Sequence, residues 1–138
     1  MTRRYLLDSG PAQDFLFQRG NVQEQVDTMR RAGAKIGICT PVLGEIAGGL
    51  EYSASREVSW DIARRRLCKL ICWPYDKLAA LEYGRIVALL KRMGRPMQQI
   101  DIQIAAIAFT LGSCTVVSSD SDLFSIPGLT IENWSSKA

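Results

Sequence analysis

The chain of 138 residues has no histidine. That excludes a Ser-His-Asp triad, a Cys-His pair, histidine general-base catalysis and every histidine-ligated metal site. Any catalysis must then rest on carboxylates, hydroxyls or a bound metal. Cysteine is scarce: Cys39, Cys68, Cys72 and Cys114, with no Cys-x-x-Cys pair. Cys39 and Cys114 sit in short apolar runs and read as small buried hydrophobes. Cys68 and Cys72 straddle an expected helix-to-strand junction without other ligands, a poor setting for a soft metal. Long apolar runs are missing too. Nothing approaches the ~18 residues of a membrane span, and the apolar stretch after Arg3-Arg4 is too brief for a signal peptide. The expected compartment is the reducing cytoplasm. Charge of one sign is also limited. Lys and Arg total 17 against 14 Asp and Glu, a net +3, which permits an anionic partner without demanding one.

What is present supports a packed core. Hydrophobic residues make up 47% and charged residues 22%, a globular rather than a disordered balance. At this length a single domain over 1–138 is expected. Short strands are expected at 4–7, 35–39, 71–73, 115–117 and 130–132. Between them, helices are expected at 12–19, 22–32, 41–52, 55–70 and 76–93, followed by a nearly all-apolar helix opening at Asp101. The 55–70 helix is expected to turn Val58, Ile62, Leu67 and Leu70 inward and Arg64, Arg65, Arg66 and Lys69 outward. The 76–93 helix is expected to bury Leu78, Leu81, Ile86, Leu89 and Leu90. The alternation implies an α/β fold with a parallel sheet covered on both faces. Ligands of such sheets sit beyond the carboxyl ends of the strands.

That rule selects five acids. Asp8 follows the first strand, and Asp120 and Asp122 follow the fourth. Asp101 opens the buried helix, and Glu45 lies one turn into the helix after the second strand. Each also has a purely structural reading: Asp8 and Asp101 as helix caps, Asp120 and Asp122 as turn formers, Glu45 as an exposed helix residue. Together they make a self-repelling cluster that needs a cation. Oxygen ligands without His or Cys favour Mg²⁺ or Mn²⁺. The natural chemistry is metal-assisted attack of water on a phosphodiester.

An ordered set of motifs runs nearly end to end. It comprises Tyr-Leu-Leu-Asp at 5–8, Thr-Pro-Val-Leu-Gly-Glu-Ile at 40–46 with Gly49, Tyr-Gly at 83–84, and Gly-Arg-Pro-Met at 94–97. Further on come Asp-Ile-Gln-Ile-Ala-Ala-Ile-Ala at 101–108, Val-Val-Ser-Ser-Asp-Ser-Asp-Leu-Phe at 116–124, and Ile-Pro-Gly-Leu-Thr-Ile-Glu-Asn-Trp at 126–134. In this the chain resembles the PIN-domain ribonucleases, specifically the VapC-type toxins of type II toxin–antitoxin pairs. The resemblance implies a three-layer α/β/α sandwich with a small, four- to five-stranded parallel sheet. It implies metal ligands at Asp8, Asp101 and Asp120, and at Glu45 a residue that binds metal or positions water. Ser118 falls where the family often has a hydroxyl near the metal, and Asp122 resembles the acid before the usual Phe.

The chain departs from the pattern in two places. Ser9-Gly10 stands where the family often has Thr-Asn or Thr-Ser. Leu123 intervenes between Asp122 and Phe124, which makes Asp120 a firmer match than Asp122. Asp14 is an extra acid that reads as a surface residue.

RNA phosphates call for cations. Lys91, Arg92 and Arg95 precede Asp101 in sequence, while Arg64, Arg65, Arg66 and Lys69 read as a solvated helix face. The tryptophans and tyrosines are scattered and read as core rather than base-stacking platforms. The resemblance further implies a homodimer, a cognate VapB-like antitoxin, and an RNA substrate such as tRNA or another structured RNA. The implied activity is Mg²⁺-dependent endoribonuclease cleavage. A non-catalytic PIN module that binds RNA or a protein is the alternative. A haloacid-dehalogenase-like phosphatase would carry a second aspartate two residues after Asp8, where Gly10 stands. A nucleotide-binding regulator would carry a Gly-rich loop after the first strand, and none is present.

Overall fold

The computed structural model describes residues 2–135. The short apolar runs become strands: β1 Arg4–Leu7, β2 Lys35–Cys39, β3 Ile71–Trp73, β4 Cys114–Val117 and β5 Thr130–Glu132. The helices are α1 Ser9–Leu16, α2 Val22–Arg31, α3 Thr40–Tyr52, α4 Arg56–Leu67, α5 Lys77–Arg92 and α6 Gln99–Leu111. A 3₁₀ turn at Ser121–Ser125 precedes β5. The sheet is five-stranded and parallel, in the order β3-β2-β1-β4-β5. Tyr5, Leu6 and Leu7 are consecutive and all fully buried. Successive strand side chains point to opposite faces, so both faces of the sheet are covered, as expected for three layers.

Right-handed crossovers place the helices. Helices α1 to α4 link β1 to β2 to β3 and lie on one face. Helices α5 and α6 carry the chain back from β3 to β4 on the other. The stepping direction therefore reverses between β1 and β4. Ligands of open parallel sheets bind at such a reversal. Asp8 leaves β1 and Ser118 leaves β4 at that point, and the Asp8 amide donates to the Val117 carbonyl across it at 2.9 Å.

Several helices differ from expectation. Helix α1 begins at Ser9 rather than residue 12, because the Asp8 carboxylate caps it by accepting from the Ser9 amide at 2.8 Å. Pro11 then falls in the first turn, where its missing N–H is not needed. Helix α6 begins at Gln99, so Asp101 lies in its first turn and is not its cap. Gly112 ends it at φ 72°, a conformation that glycine adopts freely. Helix α4 is rotated from the expected orientation. Val58 and Ile62 are exposed, Ala63 is buried, and Arg66 is half-buried. On α5, Leu78 and Leu81 are exposed, while Ala79, Ile86 and Leu90 are buried.

Cys39 is buried and Cys114 half-buried, and burial pushes both thiols up to about 12. That suits inert packing residues. Cys68 and Cys72 are exposed. Trp134 is buried and tilts against Tyr5 with ring centroids 5.2 Å apart, a core role as expected. Among the described residues no helix is long and apolar enough to cross a membrane.

Candidate active site

The end of β4 supplies a hub. Ser118 is fully buried. Its hydroxyl donates to Asp8 Oδ2 at 2.7 Å and accepts from the Asp120 amide at 3.0 Å. One hydroxyl thus ties the ends of β1 and β4 together. Asp120 Oδ1 in turn accepts from the Asp122 amide at 2.9 Å and caps the 3₁₀ turn. Asp101 is 6% exposed and reaches the same place from α6. One carboxylate oxygen each from Asp101, Asp120 and Asp122 lie within 4.8 Å of one another.

The structure therefore brings Asp122 into the cluster that the sequence match left weaker. The signal was the Asp-Ser-Asp spacing itself, which lets the first carboxylate hold the amide of the second. Glu45 is exposed on α3. Asp14 has no part in the group. Gly10 leaves open space, since an added Cβ would meet nothing within 4 Å.

The electrostatics fit a cation site. Burial pushes the Asp101 carboxyl up to about 6, and the negative charges of Asp120, Asp8, Asp122 and Glu45 add to it in that order. The four other acids thus all act on Asp101, while only Asp120 and Asp122 join it in the close trio. The ion pairs among the described residues, Glu51–Arg56, Asp61–Arg64 and Glu82–Arg85, involve none of them. A donor set of carboxylates alone suits a hard divalent ion.

The expected phosphate contacts divide. Lys91, Arg92 and Arg95 are all exposed. Arg95 reaches the 3₁₀ turn, where its Nη1 donates to Ser125 Oγ at 3.1 Å. Of the α4 cations, Arg66 is structural. Its Nε–H donates to the Phe15 carbonyl at 2.8 Å, its guanidinium also bonds Gln23, and it stacks on the Phe15 ring at 4.5 Å.

No protein-family model matches the sequence. Two relatives do. The tRNA(fMet)-specific endonuclease VapC of Salmonella typhimurium is 31% identical over 101 residues, 73% of this chain and 76% of the relative. The protein of the same name from Shigella flexneri matches with the same identity and coverage. The fold matches that of DNA-bound VapBC from Salmonella typhimurium with a TM-score of 0.86 and 26% identity, covering 97% of this chain and 99% of that one. It also matches VapBC2 of Rickettsia felis, bound to a promoter DNA fragment, with a TM-score of 0.87 and 21% identity over 95% of this chain and 98% of that one. Sequence identity, coverage and fold agree: the chain belongs to the VapC family of PIN-domain proteins.

Proposed function

We propose that this chain is a divalent-metal-dependent endoribonuclease, the toxin of a toxin–antitoxin pair. The observation that carries the reading is the convergence of Asp101, Asp120 and Asp122 within 4.8 Å, with Asp8 held beside them by Ser118. Asp8, Asp101 and Asp120 would hold the ion, joined by Asp122. When bound, Mg²⁺ or Mn²⁺ supplies Lewis-acid polarisation of the phosphate and a more acidic water. The protein's own residues do the rest. Burial keeps Asp101 fixed on α6. Ser118 holds Asp8 by one oxygen and turns the other toward the Ser9 amide. Exposed Glu45 is assigned to accept a proton from the attacking water through a carboxylate oxygen. Hydrolysis then leaves a 3′-hydroxyl and a 5′-phosphate.

The names of the relatives make tRNA the leading substrate class, with tRNA(fMet) the first candidate. The VapBC complexes among the structural neighbours support a VapB-like antitoxin as partner. A homodimer in the cytoplasm completes the reading. Lys91, Arg92 and Arg95 are assigned to the RNA backbone.

The test is incubation of the antitoxin-free chain with tRNA, with Mg²⁺, with Mn²⁺ and with chelator, beside Asp101→Asn. Discrete metal-dependent fragments from the wild type alone are expected. Cleavage that survives chelation or Asp101→Asn would overturn the metal site. Binding of tRNA without any cleavage would move the reading to a non-catalytic RNA-binding module.

A further inference from the structure

We infer that Phe124 is a nucleobase-stacking residue that holds the nucleotide beside the scissile phosphate. The inference rests on the nuclease reading above and deepens it. Of the four phenylalanines, Phe15 is buried, and Phe17 and Phe109 pack against the core. Phe124 alone stands off it, 59% exposed. Its neighbours explain why. Leu123 is fully buried and Ile126 nearly so, and these two anchor the turn Ser121–Ser125 to the protein. Leu123 fills the core position, and Phe124 is turned out to solvent.

The place of this ring matters more than its exposure. It lies two residues from Asp122, whose carboxylate belongs to the acidic trio. The next residue, Ser125, accepts a hydrogen bond from Arg95 at 3.1 Å. One short turn therefore presents an acid, an aromatic ring and a tethered guanidinium in succession. A cluster of five acids repels the phosphates of its substrate. Affinity for RNA must then come from groups at its margin, namely cations for the backbone and π faces for the bases. Phe124, on the turn that carries Asp122, and Arg95, bonded to that same turn, are such a pair. Stacking needs an unpaired base, so the nucleotide next to the cut lies in a loop or other single-stranded stretch.

The experiment is single-turnover cleavage of tRNA(fMet) by the antitoxin-free chain at increasing protein concentration, with Mn²⁺. Wild type, Phe124→Ala, Phe124→Leu and Phe124→Trp are compared, with the melting temperature of each. Loss of one base–aromatic stack corresponds to about 5- to 150-fold in affinity. Phe124→Ala and Phe124→Leu should raise the half-saturating concentration by about tenfold or more, with little change in the limiting rate. Phe124→Trp should stay within about twofold of wild type, because indole stacks as well as phenyl. Unchanged half-saturation in Phe124→Ala would overturn the inference. So would equal losses in the Trp and Ala variants with lowered melting temperatures, which would make Phe124 a packing residue. A wild type that neither binds nor cleaves the tRNA would instead overturn the nuclease reading, and the stacking role with it.

Discussion

The Ser118 hydroxyl donates to Asp8 Oδ2 at 2.7 Å from a fully buried position, joining the ends of β1 and β4 where the sheet order reverses. The same oxygen accepts from the Asp120 amide. Ser118→Ala removes both bonds at once and leaves the Asp8 carboxylate held by the Ser9 amide, without its tie to β4. The expected loss of Mn²⁺ affinity is about 10- to 100-fold, the usual effect of removing a group that orients a ligand. Stability should fall by about 1–3 kcal/mol through the unpaired buried groups. Calorimetric titration with Mn²⁺ and a melting curve check the two effects, and Ser118→Thr should restore the affinity. Unchanged affinity in Ser118→Ala would mean that Asp8 is positioned by the Ser9 amide alone.

The Asp101 carboxyl, pushed up to about 6 in the folded chain from an ordinary 3.8, makes metal-free stability depend on pH. Between those values the folded state keeps a proton that the unfolded state has released. Stability is therefore highest below about pH 4 as far as this group is concerned, and falls as pH rises toward 6. The loss is on the order of 3 kcal/mol, at about 1.4 kcal/mol per unit. Asp101→Asn lacks that slope and should melt higher than the metal-free wild type at pH 7. Saturating Mn²⁺ should flatten the wild-type slope by favouring the ionised form. Melting curves from pH 4 to 8, with and without metal, test this. A metal-free wild type that gains stability over that window relative to Asp101→Asn would contradict the buried, repelled carboxyl.

The sequence reading located β1, β2, β3 and β5 to the residue, because each is a short apolar run bounded by a turn or a charge. It placed Asp8, Asp120 and Asp122 just after their strands, where the structure has them. Helix starts were harder to read. Asp8 serves its own helix as cap while also facing the site, and a composition rule assigns it only one role. Pro11 suggested a first helical position, yet the Asp8 cap had already begun the helix two residues earlier. Asp122 looked marginal because Leu123 interrupts the family pattern. In space Leu123 goes into the core, and Asp122 keeps its place by bonding Asp120. The orientation of α4 was not legible. Its apolar residues Val58 and Ile62 face outward, and periodicity alone cannot distinguish an apolar stripe that packs from one left open.

Asp122 supplies an oxygen to the trio although its side chain is exposed. Asp122→Asn should weaken Mn²⁺ binding by about tenfold. At a fixed saturating metal concentration, that removes about 1.4 kcal/mol of metal-linked stabilisation. Asp14→Asn, which removes an acid outside the group, should match wild type. Differential scanning fluorimetry across a Mn²⁺ series reads both. Equal metal-induced shifts in wild type and Asp122→Asn would return Asp122 to the role of a turn former.

Arg66 separates two readings of the basic helix α4. As a solvated cation it would be dispensable for folding, like its neighbour Arg65, which is exposed. In the structure it crosses to α1, donates to the Phe15 carbonyl at 2.8 Å, bonds Gln23 of α2, and covers the Phe15 ring at 4.5 Å. The Phe15 carbonyl lies near the end of α1, where it also accepts a long, 3.4 Å bond from the Gln18 amide. Arg66→Ala should therefore cost about 2 kcal/mol, from two hydrogen bonds to a charged group and a cation–π contact. Arg65→Ala should stay within about 0.5 kcal/mol of wild type. Urea unfolding of the two variants gives the comparison. Arg66→Lys should recover little, because an ammonium cannot hold the carbonyl and the amide in one plane while lying flat on the ring. Equal stabilities for Arg65→Ala and Arg66→Ala would show that α4 docks through its apolar residues Trp60, Ala63 and Leu67 without help from Arg66.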